Sequence, residues 1–155
     1  MSAASPSRPP YSYRDDPAVP EFPDDKPLIV FDGHCVLCSG WANFVIRHDR
    51  ARRIRLTAAQ SALGRALYVH YGLDPVELES NLLLAEGRVW LKAEGSIRMA
   101  QLLGWPWAAA RVFRLLPARA ADRLYAWIAR NRLRWFGART VCYVPRPEDA
   151  DRFLS

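Results

Sequence analysis

The sequence predicts an α/β domain in which a small mixed sheet is flanked by helices, with extra helices at the C-terminal end. A short apolar strand at Leu28–Phe31 leads into a turn and a helix, and a second strand and helix follow. Strands joined through a helix pair in parallel by a right-handed crossover. A hairpin signal at Glu86-Gly87 then predicts two further strands that add antiparallel pairing.

The first strand is predicted from four consecutive apolar residues, bounded by a proline and by the turn-forming pair Asp32-Gly33. Beyond it, apolar residues recur at the spacing of one helix face, which predicts a helix over residues 36–48. The members of that face are Leu37, Trp41, Phe44 and Val45. We expect Cys35 at or just before the first helical turn and Cys38 one turn later, facing the same way.

The remaining elements are a strand over residues 54–56, a helix over 58–71, hairpin strands over 82–84 and 89–91, and three short helices over 96–103, 107–116 and 119–133. Gly72 is expected to end the second helix. Gly104-Trp105-Pro106 and Pro117 separate the last three helices. The order strand–helix–strand–helix–hairpin–helix matches a thioredoxin-like layout.

Residues 27–145 are expected to form this domain. Residues 1–26 contain six prolines and two aspartate pairs, which predicts a disordered arm, and residues 146–155 are expected as a C-terminal tail. Three cysteines in 155 residues are too few for a disulfide scaffold and favour a reducing compartment. Since we see neither a secretory signal nor an apolar run long enough for a membrane span, we expect a cytoplasmic protein. We also expect it to be a monomer.

Cys35 and Cys38 form a C-x-x-C pair at the carboxyl end of the first strand, where open α/β sheets place their active sites. The N-terminus of a helix lowers the pKa of a thiol from about 8.5 toward neutral. We expect Cys35, on the exposed side of the turn, to attack and Cys38, deeper in the helix, to resolve the mixed disulfide. The chemistry needs no bound cofactor, only a protein or small-molecule disulfide and a separate thiol that donates electrons.

Two other interpretations of the cysteines stay open, namely half of a metal site and a pair of buried small residues. A structural zinc site usually has a second Cys or His pair. The remaining candidates show no such spacing; they are His34, His48, His70 and Cys142. We therefore predict redox chemistry and no metal. The rival hypothesis is a non-catalytic module that binds metal through the cysteines or an anionic partner through basic helices.

Three neighbours of the cysteines are candidates for supporting roles. Asp32 is either a proton acceptor during resolution or a turn residue satisfied by backbone N–H groups, and Gly33 completes the turn that positions the pair. His34 either stabilises the adjacent thiolate when protonated or is a solvated turn residue. Because Val36-Leu37 is apolar, we expect the helix terminus alone to lower the thiol pKa.

The motif Asp32-Gly33-x-Cys35-x-Leu37-Cys38 resembles the signature of the DCC family of thiol-disulfide oxidoreductases. Further blocks agree within residues 27–145; they are Gln60-Ser61, residues 122–132, residues 134–137 and Cys142. The resemblance implies a thioredoxin-like fold and thiol–disulfide exchange. It also implies that residues 134–142 return near the motif, where Arg134 would lower the pKa of Cys35 or hold an anionic substrate. Cys142 would then be a second resolving thiol, whereas its residue type alone favours a small buried side chain.

Thioredoxin-like domains carry a cis-proline just before the third strand, facing the redox pair. The corresponding stretch here, residues 77–81, contains no proline. We therefore expect an altered substrate groove and a small substrate.

The C-terminal half is basic and aromatic, with eight arginines and one acid between Arg111 and Arg139 in a chain of net charge +6. Such a surface suits nucleic acid or an anionic membrane, but amphipathic helices with arginines toward water have the same composition. The helical spacing of Leu124, Trp127, Ile128 and Leu133 favours the latter. We do not expect nucleic-acid binding. Peripheral contact with a membrane, or binding to an acidic protein, is the better interpretation of a functional basic surface.

Overall fold

The computed structural model describes residues 8–78, 80–138 and 140–154. Four strands form a sheet in the order β2-β1-β3-β4; they are β1 (Leu28–Phe31), β2 (Arg55–Ala58), β3 (Leu82–Ala85) and β4 (Arg88–Leu91). β1 pairs in parallel with β2 and antiparallel with β3, and β3 and β4 form the predicted hairpin. The predicted mixed sheet is therefore confirmed, and with its flanking helices it is consistent with a thioredoxin-like fold.

The helices within these ranges are α1 (Val36–His48), α2 (Ala62–His70), α3 (Lys92–Leu102) and α4 (Ala118–Phe136), with 3₁₀ segments at Ser12–Asp15, Trp107–Leu115 and Pro147–Arg152. α1 has the predicted bounds. α2 begins later than predicted, because β2 continues to Ala58 and the Ser61 hydroxyl caps the helix by accepting from the Gly64 N–H. The predicted helix over 107–116 is 3₁₀ instead. None of these helices has both the length and the apolar character that a membrane span requires.

The apolar run of β1 is buried because both faces of the sheet are covered. Side chains alternate between the two faces along a strand. Leu28 and Val30 pack on the side of α2, whereas Ile29 and Phe31 pack on the side of α1. The end of β1 and the start of α1 are thus anchored in the core, which positions the turn between them.

Described segments near both ends of the chain pack on this core, although we expected a disordered arm and a separate tail. Tyr13 and Val19 are buried on the α2 side, and the Tyr13 hydroxyl donates to Asp24. The Leu154 N–H donates to the Leu56 carbonyl at 2.8 Å and extends the edge of β2. The apolar and aromatic side chains of these segments outweigh their proline content, because they cover core that would otherwise face water. Outside the described residues lie 1–7 of the arm, Ser155 of the tail, Glu79 and Arg139.

Candidate active site

The C-x-x-C pair lies at the start of α1, as predicted. Cys35 is the N-cap residue, with φ −82° and ψ 124°, and its Sγ accepts a hydrogen bond from the Cys38 N–H at 3.4 Å. The Cys35 N–H in turn donates to the Asp32 carbonyl, which closes the turn that follows β1. The two cysteines lie 3.2 Å apart, and both are reduced. This separation lets them pass between dithiol and disulfide with little movement.

The two thiols differ in acidity. The pKa of Cys35 is lowered to about 6, chiefly because the Cys38 thiol donates a hydrogen bond to it; the Cys38 N–H and the charge of Arg132 act in the same direction, and burial opposes them. The pKa of Cys38 is raised, because Cys35 holds its proton and because it is buried. At neutral pH the reduced pair therefore carries its thiolate on Cys35.

The predicted exposure of Cys35 is wrong. Cys35 is 0% exposed, whereas Cys38 is 5% exposed. Residues 137–138, here called the strap, follow α4 and lie against the backbone of Cys35 and Val36. The Val36 N–H donates to the Gly137 carbonyl at 3.4 Å, and Ala138 forms an isolated antiparallel bridge with Cys35. A contact between such distant parts of the chain leaves no trace in the local pattern around the motif.

The cation beside the cysteines is Arg132, not Arg134, and the expectation that no cation would assist the helix terminus is also wrong. Arg132 is 6% exposed, its Nη1 lies 3.5 Å from Cys38 Sγ, and its Nη2 lies 3.5 Å from Asp32 Oδ2. Its Nε is buried without a hydrogen-bond partner among the described residues. Arg134 is exposed to solvent instead. The implied return of the chain to the motif is thus real, but a neighbouring arginine makes the contact.

A sequence signal for Arg132 exists, although our sequence reasoning missed it. Tyr125, Ile128 and Arg132 are spaced at i, i+3 and i+7, so they share one face of α4. That face packs toward α1 and α3, and Arg132 is the arginine that falls on it. The resemblance covered residues 122–132 as well, but we gave the role beside the cysteines to Arg134, which lies on another face.

Asp32 is the acidic member of the site and is buried. Its Oδ1 accepts from the His34 N–H at 2.9 Å and from Gln60 Nε2 at 2.8 Å. The interpretation as a turn residue is therefore confirmed, and contact with Arg132 adds an ionic role. Gln60 also accepts from the Gly33 N–H at 3.0 Å, so this side chain clamps both residues of the turn. The sequence reasoning gave Gln60 no such role.

Cys142 lies beside Gly33. A β-carbon at position 33 would come within 2.5 Å of Cys142 Sγ, so the sulfur occupies space that only glycine leaves free. The Tyr143 N–H donates to the Gly33 carbonyl at 2.9 Å and holds this segment on the turn. Cys142 and His34 are both half-buried. The third thiol therefore borders the turn, as the resemblance implied.

A cavity of about 280 Å³ opens beside Cys38, between α1, α3 and α4. Cys38 and Arg132 are among its polar lining residues, and its apolar walls include Leu37, Trp41, Tyr125 and Ile128. The loop that lacks the cis-proline also reaches the site, because the Leu78 carbonyl accepts from Arg132 Nη2 at 2.7 Å. Among the residues described, no three His, Cys, Asp or Glu side chains are grouped so that they could hold a metal ion.

Comparison with known proteins bears on this site. Residues 29–138 match the family model of DCC1-like thiol-disulfide oxidoreductases. An uncharacterized protein of Bacillus subtilis (strain 168), YuxK, is 34% identical over 127 residues, which cover 82% of this chain and 93% of that protein. A chloroplastic DCC family protein of Arabidopsis thaliana is 34% identical over 120 residues, which cover 77% of this chain and 70% of that protein. No solved structure gives a significant match.

Proposed function

Because this chain belongs to the DCC1-like thiol-disulfide oxidoreductase family, we propose that it exchanges thiols and disulfides through Cys35 and Cys38. The Cys35 thiolate attacks one sulfur of a substrate disulfide, forms a mixed disulfide and expels one substrate thiolate. Cys38 then loses its proton and attacks the Cys35 sulfur. This step releases the second substrate thiolate and leaves a Cys35–Cys38 disulfide, so the substrate gains two electrons. A separate thiol donor returns the pair to the dithiol.

One observation carries this proposal, the pairing of a thiolate with a thiol across the first turn of α1. Cys35 has a pKa of about 6, and Cys38 stands 3.2 Å away with its proton held. Attack needs a thiolate, and resolution needs a second sulfur within reach of the first. The hydrogen bond from the Cys38 thiol supplies most of the first condition, with help from the N-cap position of Cys35 and the charge of Arg132, and the helical spacing supplies the second.

We propose Asp32 as the proton acceptor when Cys38 resolves the mixed disulfide. Arg132 contacts both groups at 3.5 Å, so one guanidinium connects the thiol to the carboxylate. Arg132 also favours the charged forms of its neighbours and so lowers the cost of forming the Cys38 thiolate. His34 and Gly33 shape the turn that holds Cys35. We propose Cys142, which lies near this turn, as a second resolving thiol.

A substrate must reach the two sulfurs, so the groups around them limit its size and polarity. The strap lies against Cys35, and its hydrogen bond from the Val36 N–H to the Gly137 carbonyl is long, at 3.4 Å, so we propose that the strap moves aside when a disulfide approaches. Cys38 faces the cavity, whose volume of about 280 Å³ suits a small molecule better than a folded protein. The walls of the cavity are apolar, and the site already contains two negative groups, the Asp32 carboxylate and the Cys35 thiolate. Both features favour a small, apolar disulfide as substrate. We propose that the protein acts as a cytoplasmic monomer with a separate thiol reductant.

The second candidate function is a non-catalytic module, which the complete burial of Cys35 favours. In such a module the cysteines would fill space at the start of α1, and the basic helices would bind an anionic partner. The two functions differ in the behaviour of the thiols. A redox pair reacts rapidly and reversibly as two thiols, whereas packing cysteines react slowly and independently.

The test is reduction of a small disulfide, such as bis(2-hydroxyethyl) disulfide, with dithiothreitol as donor. We expect turnover by the wild type, none by Cys35→Ser, and a trapped mixed disulfide in Cys38→Ser. If Cys38→Ser turned over and the double variant Cys38→Ser with Cys142→Ser trapped the mixed disulfide, Cys142 would be a second resolving thiol. Circular dichroism checks that each variant is folded. Undiminished turnover by folded Cys35→Ser would refute the assignment of the nucleophile, and slow, independent thiols in the wild type would favour the module.

A further inference from the structure

Exposed apolar side chains are concentrated in one part of this protein. Fourteen large hydrophobic side chains are exposed among the described residues, and twelve of them lie within residues 105–144. The same part of the chain is strongly basic, because eight arginines and one acid, Asp122, lie within residues 111–139. Large exposed apolar patches mark surfaces that contact another phase or partner.

The pattern is sharpest on α4, where three groups of side chains each share one face of the helix when successive residues are placed about 100° apart. Leu124, Trp127 and Trp135 fall within an arc about 80° wide and are 51%, 50% and 47% exposed. An adjoining arc about 60° wide holds exposed arginines; they are Arg119, Arg123, Arg130 and Arg134. The third face carries Tyr125 and Arg132 toward the cavity. We call the first two arcs together the outer face of α4.

We propose that the outer face of α4 binds an anionic membrane surface. The apolar arc would enter the boundary between headgroups and acyl chains, and the arginines beside it would contact lipid phosphates. Tryptophan and arginine suit this place because each has an apolar body and a polar tip. Trp127 and Trp135 lie edge to face with ring centroids 4.8 Å apart, so they form one aromatic patch.

Other occupants fit the outer face less well. A nucleic acid or an acidic protein would use the arginines, but neither needs a stripe of leucine and tryptophan left in water. An apolar protein groove would use the stripe but not the arginines beside it. An amphipathic helix in a bilayer interface uses both at once, and its binding grows with apolar area and with anionic lipid.

The proposal concerns a surface and stands apart from the redox function, yet the two share α4. The face opposite the membrane side supplies Arg132 to the cysteines. Since a helix with side chains is about 10 Å across, the redox pair would lie about that far below the lipid headgroups. A small apolar disulfide dissolved in the bilayer would then be close to the cavity.

The test uses the full-length reduced protein and vesicles of phosphatidylcholine with or without one third phosphatidylglycerol. We expect co-sedimentation with the anionic vesicles only, together with a blue shift of tryptophan fluorescence. Replacing Trp127 and Trp135 with serine should weaken binding at least tenfold, and Arg123→Gln with Arg130→Gln about 30-fold. Matched controls are Val69→Ser with Val76→Ser, and Arg65→Gln with Arg88→Gln, which lie on exposed positions elsewhere and should change binding less than twofold.

A second measurement keeps the test decisive if the tryptophan variants do not fold. Brominated lipids should quench the fluorescence of the wild type on anionic vesicles, because bromine quenches only indoles that enter the bilayer. Binding that depends on the arginines but neither on the tryptophans nor on quenching would indicate a purely electrostatic surface, for an acidic protein or a nucleic acid, and would overturn the proposal. Equal binding to both kinds of vesicle, or none, would also overturn it.

Discussion

Arg132 Nη1 lies 3.5 Å from Cys38 Sγ, although 94 positions separate the two residues in the chain. The contact brings a buried positive charge from α4 to the redox pair at the start of α1. The same guanidinium contacts Asp32, so the site combines one cation, one carboxylate and a thiol pair.

The first prediction concerns the ionisation of Cys35. With a pKa of about 6, Cys35 should be mostly thiolate at pH 7, whereas a free cysteine has a pKa of about 8.5. Absorbance at 240 nm of the reduced protein should rise with a midpoint near 6, while the oxidised protein shows no such step. A single midpoint near 8 or above would contradict the proposed hydrogen bond from Cys38.

The same ionisation should appear in stability. A thiol whose pKa is lowered by folding stabilises the native state above its unfolded pKa, and this contribution is lost as the pH falls through the folded pKa. The urea midpoint of the reduced protein should therefore rise between pH 6 and pH 8 relative to that of the oxidised protein. Parallel pH profiles for the two redox forms would show that folding does not favour the thiolate.

The second prediction separates Arg132 from Arg134. Arg132→Met removes the cation next to the pair, so the pKa of Cys35 should move up toward the value of a free thiol. Arg134→Met is the matched control, since Arg134 is exposed and should leave the absorbance titration unchanged. A shift in Arg134→Met equal to that in Arg132→Met would mean that net charge, rather than the contact, sets the pKa.

The third prediction concerns Asp32. Because its charge raises the pKa of both thiols, Asp32→Asn should lower the pKa of Cys35 and leave the first attack intact. Resolution should be slowed if Asp32 takes the proton of Cys38, so the mixed disulfide should accumulate. Acid quenching followed by mass spectrometry measures it, with exposed Glu77→Gln as the control. No accumulation would exclude Asp32 as the acceptor.

The fourth prediction tests the packing of Cys142 on the turn. Gly33→Ala would place a β-carbon 2.5 Å from Cys142 Sγ, and overpacking of this kind costs about 1–3 kcal/mol. Adding Cys142→Ala should recover most of the loss, because the alanine removes the sulfur. Gly40→Ala is the control; it has open space around it in α1 and should be neutral or stabilising. Urea unfolding of the wild type, Gly33→Ala, Cys142→Ala and the double variant gives the coupling free energy between the two positions. Strictly additive effects of the two substitutions would argue against the contact.

The fifth prediction concerns the strap. Gly137 has φ 84° and ψ 173°, a conformation in which a residue with a side chain is strained by about 1–3 kcal/mol. Gly137→Ala should therefore shift the strap and speed alkylation of Cys35 by iodoacetamide. Gly104→Ala is the control for general loosening, because Gly104 also has a positive φ, of 78°, with open space around it, and lies outside the strap. Equal acceleration in both variants would mean that the strap does not limit access.

The sequence by itself determined the features that depend on neighbours along the chain. The bounds of α1, the hairpin and the adjacency of Cys35 and Cys38 follow from apolar spacing and from the geometry of one helical turn. The N-cap position of Cys35 belongs to this group, because a strand followed by Asp32-Gly33 leaves few places for a helix to begin.

Only the tertiary structure decided what surrounds the sulfurs. The choice of Arg132 over Arg134 depends on the rotation of α4 about its axis, which its packing against α1 and α3 fixes. The burial of Cys35 depends on the path of the chain after Gly137, and the position of Cys142 depends on that same path. Local spacing fixes which residues share a helix face, but which face turns inward is set by contacts between segments far apart in the chain.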